Sequence, residues 1–338
     1  MLTLQFLKNY PIEEGLKELQ GKYAISNTRW EDLIILNYCQ IDSPKLDPIV
    51  RECRGLVIND RAELVAMSFR RFFNYGETQE EFDWNCRAYH KEDGSLITVY
   101  YYNGWKINTR ASFGFGEINK SGHTWNSLVS SLLDFDRLHQ GLTYVFELCS
   151  PFNQVVRYYD KPQLKLLSVN NRGYEYGHSQ LEILADRAGI ELVNSQLISS
   201  IDEAKAIIQE EVSTNHRFEG LVLKSNIRLK LKSEIYVRLH KMFSNLSDRG
   251  LLEIYFNGER AEAELYMPET KDKFITIDNR LREIGEEMDD FYSKYEYFPV
   301  QKDFALAVKN HKYSSVLFQA RKLGKKPSEL KYLYSRYL

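Results

Sequence analysis

The stretch KEDGSLITVYYYNGWKINTR, residues 91–110, decides how this chain folds. Leu96–Tyr102 and Trp105–Arg110 are β-prone runs on either side of Asn103-Gly104. That residue pair best tolerates the positive φ angles of a type I′ turn, so the spacing predicts an antiparallel hairpin. Upstream, Gly55–Ile58 and Leu64–Ser68 flank the polar turn Asn59-Asp60-Arg61 and read as a second hairpin. Downstream, strands are predicted at Tyr144–Leu148, Leu164–Val169, Phe218–Leu223 and Leu229–Lys232. Two helices interrupt them, each opened by a Ser-x-x-Glu capping box, Ser179 with Glu182 and Ser200 with Glu203, the first stopping at Gly189. Beyond about residue 243 the texture turns helical: Leu281–Tyr295 is periodic, Pro299 suits a helix entrance, and Ser315–Leu323 follows. The predicted fold class is α+β, with an antiparallel-sheet domain over residues 1–242 and a small all-helical domain over residues 243–338.

A chain of 338 residues can bury a sizeable core without covalent or metal staples. Its 43% hydrophobic content excludes a disordered or collagen-like protein. Cys39, Cys53, Cys86 and Cys149 are too scattered for a disulfide framework or a CxxC metal site. No apolar run approaches the roughly 20 residues of a membrane span, and the N-terminus lacks the pattern of a secretory leader. The expectation is a cytoplasmic monomer with no membrane association. The net charge of −2 by itself argues against a nucleic-acid binder, but it averages over an asymmetry. Residues 259–296 hold 12 acidic and 6 basic side chains, whereas residues 299–338 hold 9 Lys and Arg against Asp303 and Glu329. With Tyr313, Tyr332, Tyr334 and Tyr337 interleaved, that basic end could meet phosphates and stack on bases, or it could be an ordinary solvated helix surface.

The chemistry-bearing residues follow one another along the chain. Lys91 precedes Asp93 and Gly94 at the edge of the first hairpin. A lysine amine attacks only when neutral, so a nucleophilic Lys91 requires neighbouring cations or burial to depress its pKa. By itself Lys-x-Asp-Gly also reads as a charged turn. Glu147 then sits within an apolar strand, where an acid needs a partner such as a ribose hydroxyl or a metal ion. Glu219-Gly220 repeats the device. Lys230 and Lys232 alternate with leucines, which puts both on one face of a strand, and two ammonium groups side by side call for an anion between them. A solvent-facing strand edge guarded by lysines is the plainer alternative. No GxxxxGK[ST] loop and no His/Cys zinc spacing occurs.

Taken in order, Lys91-x-Asp93-Gly94, Glu147, Glu219-Gly220 and Lys230-x-Lys232 resemble the motifs of the covalent nucleotidyltransferases, which include DNA ligases, RNA ligases and mRNA capping enzymes. Glu52-Cys53-Arg54-Gly55, Arg71-Phe72-Phe73-Asn74 and Ser233-x-x-Tyr236-Val237-x-Leu239-His240 narrow it: residues 35–240 resemble the tRNA-repair RNA ligases of T-even bacteriophages and their relatives. The resemblance implies an ATP-grasp-like ligase domain and ATP-dependent joining of RNA 5′-phosphate and 3′-hydroxyl ends. Lys91 would carry AMP as a phosphoramidate, kept neutral with help from Lys230 and Lys232, which also bind the α-phosphate and the leaving pyrophosphate. Arg54 and Arg71 would engage phosphates, Phe73 and Tyr38 the nucleotide, and Glu147 the ribose. Glu219 would orient Mg²⁺, or Mn²⁺ in its place, with a second acid among Glu259, Glu262 and Glu264, of which Glu262 is favoured. Arg71 and Arg110 stand where the phage enzyme has lysines, and Arg110 would serve in RNA ligation. The implied partners are RNA ends, single-stranded or in a broken tRNA. The alternatives are a DNA ligase or capping enzyme, disfavoured because the tail reads helical, and a non-catalytic RNA-binding protein on a ligase-like scaffold.

Overall fold

A computed structural model describes residues 1–244 and 247–337, without the side chains of Ser244, Asp248, Glu262 and Arg336. The chain divides into two compact units, Met1–Val237 and Arg238–Leu338. The helix Glu234–Ser244, whose start Ser233 caps by accepting from the Tyr236 amide at 2.9 Å, runs across the division, which falls a few residues before the boundary expected at 242.

Three sheets build the first unit. The N-terminal one orders Ile25–Trp30, Leu33–Tyr38, Arg54–Asn59 and Leu64–Ala66 as consecutive antiparallel strands. Leu33–Tyr38 is buried throughout, with Ile34 and Leu36 in the core beneath the N-terminal helices and Leu33 and Ile35 packed toward Tyr100 and Phe113. The central sheet holds Thr143–Cys149 between Ser95–Tyr101 and Gln163–Asn171. The hairpin predicted at Asn103-Gly104 is present, with φ of 49° and 111° at its two turn residues. The third sheet orders Ser195–Ile198, Cys86–His90, Gly220–Lys224, Arg228–Lys232 and Phe73–Asn74. Consecutive strands Cys86–His90 and Ser95–Tyr101 thus belong to different sheets, and residues 91–94 bridge them.

The helix His178–Ala188 starts earlier than predicted: Gly177 is its N-cap and Gln180 takes the Gly177 amide at 3.1 Å, so Ser179 lies inside the helix. Gly189 ends it, at φ 66°. Ser200 does cap Ile201–Thr214, accepting from the Glu203 amide at 3.2 Å. All four cysteines are free thiols. No helix among the described residues is long and apolar enough to cross a membrane.

The second unit is helical. Along Lys271–Tyr292, Leu281, Ile284, Met288 and Tyr292 recur on one face and meet Phe304, Val308, Val316, Leu317 and Tyr334. Two of the four tyrosines offered by sequence as base-stacking platforms are core residues: Tyr334 is fully buried and Tyr313 nearly so, while Tyr332 is exposed. Removing residues 299–338 would take away seven of the eleven described residues buried in this core, so such a deletion does not isolate an RNA-contacting role.

Candidate active site

A cavity of about 240 Å³ opens between the central and third sheets, and Lys91 stands on its wall. The Lys91 amide donates to the Gly220 carbonyl at 2.8 Å, which fixes the bridging loop to the strand carrying Glu219-Gly220. Its Nζ donates to Glu219 Oε2 at 2.7 Å, and Lys232 Nζ lies 3.0 Å from Glu219 Oε1. Glu219 is only 4% exposed, and each of its oxygens faces one ammonium group. Glu147 and Lys230 complete the polar wall, and Val222, Leu96 and Val193 the apolar one. Gly94 lets this loop reach the central sheet: a Cβ there would sit 2.3 Å from the Leu148 carbonyl oxygen.

Arg54 also lines the cavity, its guanidinium 5.6 Å from the Phe72 ring centre. Its Nη1 is buried without any hydrogen-bond partner. Arg71 repeats the pattern one step outside, paired through Nη2 with Glu77 at 2.9 Å while its Nη1 is buried and unpaired. Unsatisfied buried guanidinium donors are costly in a folded protein unless an anion completes them.

The charge state of Lys91 differs from the sequence expectation. Burial alone would lower its pKa, but the adjacent Glu219, with Asp93 behind it, outweighs that and holds the amine above its ordinary value, so it is an ammonium in the free chain. Nearby cations do not keep it neutral. Lys230 is the lysine they depress: burial, then Arg54, Lys91 and Lys232, bring it down to about 8. Glu147 moves the opposite way, raised to about 8 by burial, with Glu219 adding and Lys91 opposing.

At neutral pH Glu147 is therefore a carboxylic acid in the folded chain and a carboxylate in the unfolded one, whose ordinary value is near 4.3. The folded state binds the extra proton over that window, so this group makes stability fall as pH rises toward 8, by at most about 1.4 kcal/mol per pH unit. Glu147→Gln is neutral throughout and is expected to flatten the decline. Thermal melts of the two proteins at pH 6 and pH 8 check this; parallel declines would contradict it.

The other residues singled out by sequence stand around the cavity rather than on it. Phe73 is core, 2% exposed, beneath Arg71 at 4.5 Å and Arg51 at 5.1 Å, and its neighbour Phe72 lines the cavity with Phe69 and Tyr89. Tyr38 is buried, with the Arg71 and Arg110 guanidinium groups 5.9 Å and 5.6 Å from its ring centre. Glu262 lies outside the described residues. Among the described residues no group of three acid, His or Cys side chains is arranged to hold a metal ion. Glu219 fits a divalent ion only if it releases a lysine and if phosphate oxygens and water supply the remaining ligands, the usual manner of Mg²⁺.

Two fasteners were not read from the sequence. Asp93 accepts from the Tyr236 hydroxyl at 2.7 Å and from the amides of Val156 and Arg157 at 2.8 and 2.5 Å, and Glu92 takes Arg157 Nη1 at 3.0 Å. They tie the loop that carries Lys91 to residues 156–157 and to the helix that follows Lys232. Both were visible as motif letters, but a structural carboxylate carries no local signature.

Residues 52–236 match the family model described as RNA ligase. The chain belongs to the RNA ligase family. The match spans every wall of the cavity, from Arg54 to Lys232. A protein of Autographa californica nuclear polyhedrosis virus, assigned as a bifunctional polynucleotide kinase/RNA ligase, is 30% identical over 291 residues, 76% of this chain and 41% of that protein. This RNA ligase family member therefore spans less than half the length of that viral relative. A protein of Thermovibrio ammonificans, assigned as an RNA ligase, is 27% identical over 286 residues, covering 78% of this chain and 73% of its own. Among solved structures, an archaeal ATP-dependent RNA ligase superposes with a TM-score of 0.53 at 17% identity, over 82% of this chain and 76% of its own, a likeness of fold.

Proposed function

We propose that this chain is an ATP-dependent RNA ligase that joins a 5′-phosphate to a 3′-hydroxyl through AMP carried on Lys91 and then on the RNA end. The observation that carries the reading is Lys91 on the cavity wall together with Lys230, Lys232 and the unsatisfied Nη1 of Arg54, an arrangement that suits a polyphosphate. In the first step the Lys91 ammonium gives a proton to Glu219, its nitrogen forms a P–N bond to the α-phosphorus of ATP and sheds a second proton to water, and the P–O bond to pyrophosphate breaks with its electron pair. Glu219, the hydrogen-bond acceptor of that amine, orients it and controls when the proton leaves. Lys230 and Lys232 neutralise the leaving pyrophosphate, and Arg54 holds the phosphates. In the second step an RNA 5′-phosphate oxygen displaces Lys91, which recovers a proton. In the third, a 3′-hydroxyl oxygen attacks that phosphate, losing its proton, and AMP departs.

Glu147, as a neutral acid that can donate as well as accept, suits the ribose hydroxyls. Arg71, stacked on Phe73, would hold the outer phosphates, with Tyr38 and Arg110 behind it. A divalent cation such as Mg²⁺, held by Glu219 with phosphate oxygens, would offset charge developing on the pyrophosphate. Monomeric action in the cytoplasm on single-stranded RNA or a broken tRNA loop belongs to the same reading.

The reading is tested by incubating the chain with ATP, Mg²⁺ and a 5′-phosphorylated oligoribonucleotide. Joined or circular RNA is expected, with none from the 5′-hydroxyl oligonucleotide. Equal products from both, or none from either, would overturn it.

A further inference from the structure

A second cavity, of about 360 Å³, adjoins the first and shares Phe69, Phe72, Lys224 and Arg228 with it. Its walls carry six cations, Arg51, Arg70, Arg71, Arg172, Lys224 and Arg228, and a single acid, Glu175. Glu175 pairs with both Lys224 and Arg228. Arg51, Arg70 and Arg71 pair with Glu80, the buried Glu52 and Glu77. Six cations against four carboxylates leave the groove positive, and Arg172 is the one among the six with no carboxylate partner among the described residues.

Arg172 is placed at a cost. It occupies the turn between Gln163–Asn171 and Tyr174–Glu175 with φ 48°, a left-handed conformation that Asn or Gly adopts more easily than Arg. From there it lines both this groove and a third cavity, of about 530 Å³, which also carries Tyr101 and Tyr102. On the strand Arg228–Lys232, residues 228, 230 and 232 share one face, so the basic row continues from beside Lys91 into the groove.

We propose that this groove carries the phosphodiester backbone of the RNA strand whose end enters the Lys91 cavity, with Arg172 and Arg70 contacting phosphates beyond those of the nucleotide. A polyanion in extended form fits a positive groove continuous with the cavity, and the contacts are of the kind that position a strand without reading its sequence. The inference rests on the reading of the Lys91 cavity as a nucleotide site.

The test is fluorescence anisotropy with a labelled, 5′-phosphorylated single-stranded RNA in the absence of ATP, over a series of salt concentrations. Arg172→Asn and Arg70→Gln are each expected to weaken binding about threefold to tenfold near physiological salt, and to lower the slope of log affinity against log salt by about 0.7 per charge removed. Arg172→Lys is expected to keep the slope. Because Asn suits the turn, Arg172→Asn is also expected to melt no lower than the unsubstituted chain, a combination that a purely structural role for Arg172 does not produce. Unchanged affinity and slope in the double variant would overturn the groove. Failure of the nucleotide reading has a different signature, no AMP transferred to the unsubstituted chain, and is scored separately from the RNA titrations.

Discussion

Lys91→Ala is expected to bring transfer of AMP from α-labelled ATP to the protein down by about a thousandfold or more, to background. Lys91 combines a position on the cavity wall with a 2.7 Å hydrogen bond to a buried carboxylate that can govern its proton, a carboxylate it shares with Lys232 at 3.0 Å. Alanine also frees one oxygen of Glu219, so a loss of labelling there mixes chemistry with electrostatics. Lys91→Arg separates the two. Its guanidinium keeps the positive charge opposite Glu219 but does not deprotonate, so the site stays paired while the nucleophile is gone. Folded, unlabelled Lys91→Arg is the expected outcome, read by denaturing electrophoresis beside a thermal melt. Lys230, depressed to about 8, is the amine closest to neutrality in the cavity, and labelling retained in Lys91→Arg but lost in Lys230→Arg would move the nucleophile there.

Gly220→Ala is expected to cost about 3 kcal/mol or more, lowering the melting temperature of the first unit by about 10 °C, and to abolish AMP transfer. Gly220 has φ 136°, where an L side chain is strained, and an added Cβ would lie 2.1 Å from the Leu231 carbonyl oxygen and 2.8 Å from the Lys232 Cα. These are backbone atoms of the paired strand, and relief requires prying apart the hairpin that sets Glu219 against Lys91 and Lys232. Gly21→Ala is the control. It sits in the helix Ile12–Tyr23 with nothing within 4 Å of a new Cβ, and is expected to leave stability unchanged or slightly raised. Similar melts for the two variants would contradict this account of the hairpin.

Local chemistry made part of the fold legible. Asn103-Gly104 specifies its turn, Gly189 its helix end and Ser200 its cap without help from the rest of the chain. Of the N-terminal sheet, the hairpin Arg54–Asn59 with Leu64–Ala66 was legible, but Leu33–Tyr38 was not, because it is buried on both faces and lacks the alternation that marks a half-exposed strand. Tyr313 and Tyr334 looked like surface platforms because tyrosine composition says nothing of burial, and the helical packing places both inside. At the site, motif order brought Lys91, Glu147, Glu219, Lys230 and Lys232 together on the page, and the fold assembles them around one cavity. The ionisation of Lys91 was misjudged because it depends on which neighbour is nearest. A carboxylate at 2.7 Å outweighs the effect of burial, and sequence spacing carries no such distance.

The most direct measurement is the site of AMP attachment: the chain is incubated with ATP and Mg²⁺, digested, and its peptides sequenced by mass spectrometry under conditions that preserve phosphoramidates. The result expected is AMP on the side-chain nitrogen of Lys91, lost on brief acid treatment as a P–N bond should be. AMP on another residue, or an acid-stable adduct, would contradict the assignment of Lys91 as the nucleophile.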